Sequence, residues 1–189
     1  MILPIVAYGD PVLREVAVDI TKDYEGFDAF LQNMWDTMYE ADGVGLAAPQ
    51  VGRAIRLFVL DASTFADEAP SLADFKKVFI NAEIIEEFDE EWSFNEGCLS
   101  IPGVREDVKR LSKIRIKYLD EHFKVHEEVF DGMAARIIQH EYDHIEGILF
   151  TDHLGALRKR MVKKKLEDIS KGNVKVAYKM KFPLLRRIK

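Results

Sequence analysis

Residues 131–147 read DGMAARIIQHEYDHIEG, and no other stretch restricts the fold as much. Met133, Ala134, Ile137, Ile138 and Ile145 make a helix here apolar around much of its girth, so it must be largely buried. Asp131 stands where an N-cap is needed, and Gly147 where a left-handed residue ends a helix. Yet the same helix carries His140, Glu141 and His144. A buried polar group is costly unless something binds it, so the rest of the chain must supply partners for these three.

The other segments give the material for enclosing that helix. Within residues 24–41, Phe27, Phe30, Leu31, Met34, Trp35, Met38 and Tyr39 recur at the spacing of one helical face. DGVGLAAPQVG then breaks the helix with Gly43 and Gly45. IRLFVLD (55–61) reads as a buried strand, 62–76 as a loop and VFINAEIIEEF (78–88) as strand again. KIRIKYLD (113–120) and FKVHEEVF (123–130) alternate, which predicts a hairpin. A helix is expected from about 154 to 170, ending near Gly172, and VKVAYKM (174–180) as a last strand. The expected class is α+β, with antiparallel β-sheets around a central buried HExxH helix and an N-terminal and a C-terminal helix. With 189 residues, no repeat and no low-complexity linker, residues 1–189 are expected to form a single domain.

Composition excludes some settings. The single cysteine, Cys98, rules out an intrachain disulfide and fits a reducing compartment. The start, MILPIVAYGDPVLR, lacks a basic leader and is interrupted by Pro4, so it does not read as a signal peptide. No apolar run approaches the roughly 20 residues of a membrane span. A cytoplasmic protein with no membrane partner is expected, and a monomer. The net charge of −6 gives no overall reason to expect a nucleic-acid binder, but charge is uneven. Residues 158–189 hold 13 Lys and Arg against two acids, while residues 1–157 hold 14 against 31. That basic helix and tail is either a solvated face or a contact for a polyanion such as RNA.

His140 and His144 lie at i and i+4, about 40° apart and one turn along the helix, so both imidazoles can reach one ion. The same spacing holds Zn²⁺ in HExxH metallohydrolases, with the glutamate, here Glu141, as general base. Two histidines do not complete such a site. The HExxHxxG pattern would continue to a third His at position 150, which is Phe150. Glu167 lies in a basic, solvent-facing segment, and His122 and His126 flank a hairpin turn. His153 remains open. Cys98, in the Gly- and Pro-punctuated stretch NEGCLSIPG (95–103), is the best candidate. A thiolate and two imidazoles leave a fourth position open, which is the catalytic rather than the structural pattern.

GVGLAAPQ (43–50), EGCLS (96–100) and QHEYDH (139–144) stand in the order of the three signature motifs of peptide deformylases, and ILPIVAYGDPVLR resembles their N-terminus. The resemblance runs from about residue 2 to about 155. It implies a metal-dependent hydrolase of linear amides that removes the formyl group from the N-terminal formyl-methionine of nascent polypeptides, releasing formate. It also implies Cys98, His140 and His144 as metal ligands, Glu141 as general acid and base, and the Gln50 amide and Leu99 N–H as oxyanion donors. The metal of such enzymes is generally Fe²⁺, and the donor set itself does not choose between Fe²⁺, Zn²⁺, Ni²⁺ and Co²⁺. Gly43 and Gly45 would let a peptide lie extended against the main chain. Val44, Phe94, Met133 and Ile137 are candidates for the methionine pocket, and Arg105 for holding the substrate or the cysteine loop. Some deformylases dock on the ribosome through a C-terminal helix, which would give Arg158, Lys159, Arg160, Lys163, Lys164 and Lys165 a partner. Two other readings stand beside this one: an HExxH zinc endopeptidase, and a non-catalytic ribosome-binding protein.

Overall fold

A computed structural model describes residues 1–184; the end of the basic tail, residues 185–189, lies outside the described residues. In chain order the elements are β1 (Ile5–Val6), α1 (Phe27–Glu40), β2 (Gly45–Ala47), β3 (Leu57–Asp61), β4 (Lys76–Cys98), β5 (Ile101–Leu119), β6 (Val125–Asp131), α2 (Gly132–Ile145), α3 (Ala156–Ser170) and β7 (Met180–Lys181). The class is α+β. β2 to β6 form one antiparallel sheet in sequential order, which leaves β2 and β6 as its edges. β1 and β7 make a separate two-stranded pair that is parallel, not antiparallel as expected.

The alternation of side chains explains why IRLFVLD is apolar throughout. Phe58 and Leu60 join the cluster that includes Ala134, Ala135, Ile137, Ile138 and Ile145 of α2. Leu57 and Val59 join the cluster that includes Met34, Trp35 and Met38 of α1. A strand covered by a helix on each face has no side that can be polar. On the α2 face, Phe79 stacks on Phe58 at 4.8 Å between ring centroids and meets Tyr118 at 4.3 Å. Farther along, residues 104–110 of β5 alternate strictly between buried and exposed, because that stretch covers protein on one side only.

Several expectations are corrected. α1 ends before either glycine: Asp42 turns the chain at φ 52°, and Gly43 and Gly45 serve a different purpose, described below. Tyr39 lies on the exposed side of α1, with its hydroxyl donating to Asp61 Oδ2 at 2.7 Å. The segment 62–76 contains two short 3₁₀ turns, Ser63–Phe65 and Pro70–Leu72. NEGC is not a loop but the end of β4, which pairs with β5 up to Cys98 and Ile101. Asp131 occupies the N-cap position of α2 without a side-chain capping bond, whereas Gly147 has the left-handed φ of 71° anticipated for it. Residues 174–180 form no strand beyond Met180, because they alternate in burial without a neighbouring edge to pair with.

α3 buries Val162, Leu166 and Ile169 and exposes the intervening cations. Arg158 is engaged, its Nε donating to Glu106 Oε2 at 2.7 Å. Among the described residues, no helix is long and apolar enough to cross a membrane.

Candidate active site

Two segments converge on one point. The end of β4 delivers Cys98, and α2 delivers His140 and His144, one helical turn apart. The Cys98 sulfur and a ring nitrogen of each histidine all lie within 4.8 Å of one another. The Cys98 Sγ to His144 Nε2 distance is 3.3 Å. His122, His126 and His153 stand elsewhere: His126 faces Asp120 at 2.7 Å, and His153 faces Asp143 at 2.8 Å. Glu167 is exposed beside Lys163.

Glu96, two residues before Cys98, fixes the ring of His140. Its Oε2 lies 3.0 Å from His140 Nδ1, so the ring donates there and keeps Nε2 as a lone-pair donor on the opposite side. The carboxylate also accepts from Arg110 at 2.8 and 3.1 Å and from Arg136 at 2.9 Å. Arg110 in turn donates to Asp143 at 2.8 Å. Burial disfavours the Glu96 anion, but His140 and Arg110 outweigh it and hold the carboxyl well below its usual range. Burial also pushes the Cys98 thiol up, and the adjacent His144 and His140 overcome this, bringing it down to about 5. The thiolate, the form that ligates metals, is therefore favoured at neutral pH.

Glu141 points the other way, against β2. It is buried, and burial raises its pKa to about 7 against the opposing pull of His140 and His144, with the charges of Cys98 and Glu96 adding to the rise. Gly45 is there to admit it: a Cβ at that position would collide with Glu141 Oε1. Gly43 likewise makes room for Leu99, whose Cδ1 would meet a Cβ at 2.8 Å. Gln50 accepts the Ala47 N–H through Oε1 at 2.8 Å. That bond aims its NH₂ at the centre, 3.4 Å from both Cys98 Sγ and Ser100 Oγ. Among the described residues, Glu141 Oε2 and His144 Nδ1 are buried without a hydrogen-bond partner. Convergent borderline-soft donors and an orphaned carboxylate oxygen beside them fit a divalent cation with an open position.

A cavity of about 590 Å³ opens onto this point. Gly43, Val44, Gly45, Phe94, Arg105, Met133 and Ile137 all line it, together with Gln50, Leu99, Cys98, His140 and Glu141. Ile137 is also packed into the core under the sheet. Arg105 donates to Asn95 through Nε at 3.0 Å, so its guanidinium braces the hairpin. Phe150, where a third His would stand in a metzincin-like pattern, is buried and stacks near His140 at 6.1 Å.

Reading the sequence did not find Glu96, Arg110, Arg136 or Asp143, although two signals were present. Glu96 shares a strand face with Cys98, and Arg136 lies one turn before His140 on α2. Nor did it find the wall formed by Lys175, Val176, Ala177 and Tyr178.

Glu96→Gln keeps the shape and removes the charge facing two buried arginines and His140. We expect metal affinity to fall about 10–100-fold, measured against a competing chelator. Urea unfolding should show a loss of about 3–5 kcal/mol. If neither quantity changes, the carboxylate does not organise the centre.

The sequence pattern of the family described as polypeptide deformylase matches residues 2–160. A peptide deformylase of Christiangramia forsetii is 60% identical, covering 97% of this chain and 97% of its own. One from Flavobacterium johnsoniae is 56% identical, covering 99% of each. Among solved structures, a peptide deformylase from Legionella pneumophila superposes with a TM-score of 0.78 at 37% identity, covering 92% of this chain and 98% of that one. Signature motifs, site geometry and relatives of full length agree, and the chain belongs to the polypeptide deformylase family.

Proposed function

We propose that this chain removes the formyl group from N-formyl-methionyl nascent polypeptides by hydrolysis, with Cys98, His140 and His144 as metal ligands and Glu141 as general acid and base. One observation carries the reading: an orphaned, buried Glu141 carboxylate beside a Cys and His pair, at the bottom of a cavity walled by Gln50 and Leu99. Phe150 in place of a third His weighs against an endopeptidase, and a complete set of donors weighs against a non-catalytic role.

The ion held by the three ligands would supply Lewis acidity, lowering the pKa of water towards about 7. We infer Fe²⁺ as the physiological metal, with Zn²⁺, Ni²⁺ or Co²⁺ able to occupy the same donors. Glu141 takes the proton of the attacking water and hands it to the departing nitrogen, which cannot leave as an amide anion. Burial disfavours the charged form of this carboxyl group, which supports its carrying the proton from the water to the nitrogen. Attack makes the formyl carbon tetrahedral and puts negative charge on its oxygen. The Gln50 NH₂ and the Leu99 N–H donate to that oxygen without introducing a counter-charge. The C–N bond then breaks, giving formate and a free amino terminus.

The free edge of β2 lies beside the cavity, which supports a substrate lying extended against Gly45 as an added strand. Val44, Phe94, Met133 and Ile137 would receive the methionine side chain. Residues 1–189 act on this reading as a single cytoplasmic, monomeric unit, with the sheets arranged about α2 as its centre. The burial of ten α2 residues supports that arrangement. The exposed cations of α3, above all Lys163, Lys164 and Lys165, are proposed to contact ribosomal RNA or protein.

The direct test is formate release from a formyl-methionyl tripeptide by enzyme purified without oxygen and loaded with Fe²⁺. Glu141→Ala should lower kcat about 10²–10⁴-fold with its metal retained. No release by fully metallated wild type would refute the activity. For the basic face, replacing Lys163, Lys164 and Lys165 with Glu should abolish co-sedimentation with ribosomes at low salt. Undiminished co-sedimentation would exclude α3 as the contact.

A further inference from the structure

Residues 174–181, beyond the stretch that matches the family pattern, cross the rim of the cavity. Val174, Val176, Tyr178 and Met180 are half-buried, and Lys175, Ala177 and Lys179 are exposed. Backbone bonds secure the far end of this strap. Ile5 N–H donates to Lys179 C=O and Ala7 N–H to Lys181 C=O, each at 2.9 Å, and Leu184 N–H donates to Ser170 C=O at 3.0 Å. Thus held, the strap sets Tyr178 against Leu99 in the apolar cluster of α1 and β3.

The Tyr178 hydroxyl donates to the Leu99 C=O at 2.7 Å. Burial, with Cys98 nearby, raises its pKa to about 12, so it keeps its proton and remains a donor. Leu99 joins β4 to β5 between Cys98 and Ser100. The Ser100 C=O accepts the Tyr8 N–H at 2.8 Å, and the Leu99 side chain rests against Gly43. The Leu99 C=O is a further handle on this turn, beside the Gln50 Nε2 contact with Ser100 Oγ, and Tyr178 grips it. The Leu99 C=O shares its rigid plane with the Ser100 N–H, so Tyr178 fixes the peptide that follows Leu99, while Cys98, paired with Ile101 at the end of β4, fixes the residue before it; the Cys98–Leu99 peptide, which carries the Leu99 N–H, is thus held at both ends.

We infer that Tyr178 is a positioning residue for the deformylase reaction, holding the Cys98–Ser100 turn so that the Leu99 N–H aims at the developing oxyanion. The inference rests on the role proposed for Leu99. Because the benefit arises only as charge builds on the formyl oxygen, it belongs to kcat and not to substrate affinity.

The test is Tyr178→Phe, which removes one oxygen and keeps the ring. In metal-loaded enzyme we expect kcat to fall about tenfold with KM unchanged within twofold. Metal content and melting temperature should match the wild type, and the amide hydrogens of Leu99 and Ser100 should exchange faster. A kcat within twofold of wild type, or unchanged exchange, overturns the inference. So does a loss of rate matched by loss of metal or of folded protein, since Tyr178 would then only support the fold. Wild type that releases no formate would sink the deformylase reading itself, whereas an active wild type with an equally active Tyr178→Phe sinks only the role of Tyr178.

Discussion

The buried carboxylate of Glu96 is the tie on which the site depends. It receives Arg110 from β5 and both Arg136 and His140 from α2, so one side chain ties β4 to two other elements. Two buried guanidinium groups could not stand there alone, since an unpaired charge in the interior is strongly destabilising. Glu96 and Asp143 balance them, and His153 closes the far end at Asp143. This cluster fixes the distance between the strand that carries Cys98 and the helix that carries both histidines. The same network also sets which nitrogen of His140 faces the centre.

A second constraint acts from the opposite side. β2 lies so close to α2 that only glycine fits at position 45, and this pushes the Glu141 carboxylate into a confined, poorly solvated space. Its elevated pKa follows from that confinement first. The sheet therefore does more than bury apolar area. Its α2 face, through Phe58, Phe79 and Tyr118, holds the helix at a fixed height, and its edge brings the backbone up to Glu141.

Much of this was legible in the sequence, and what was missed has a common cause. Local period gave α1, because a helix buries every third or fourth residue wherever it lies, while α2 and α3 were expected with their ends marked by Gly147 and Gly172. The apolar girth of HEYDH's helix gave its burial, and elimination among the few other ligating residues brought Cys98 forward. The Glu96 network was invisible because its bonds span 14, 40 and 44 residues, and no local pattern encodes such pairs. Gly43 and Gly45 looked like helix breakers, yet Asp42 makes the turn and the glycines answer to side chains from remote segments. VKVAYKM shows the limit most plainly. Its alternation reflects real alternation in burial, but a strand also needs an edge to pair with, and only Met180 and Lys181 have one. The contact of Tyr178 with Leu99 crosses 79 residues and carries no motif.

The claim at the centre is that a strand end and one helix turn together form a three-ligand, one-sulfur metal site. X-ray absorption of the metal-loaded protein tests it most directly. With Zn²⁺ as the reporter ion, the first shell should contain one sulfur at about 2.3 Å and two imidazole nitrogens at about 2.0–2.1 Å, with a fourth light-atom position. A shell without sulfur, or with a third imidazole in its place, would contradict the assignment of Cys98, His140 and His144.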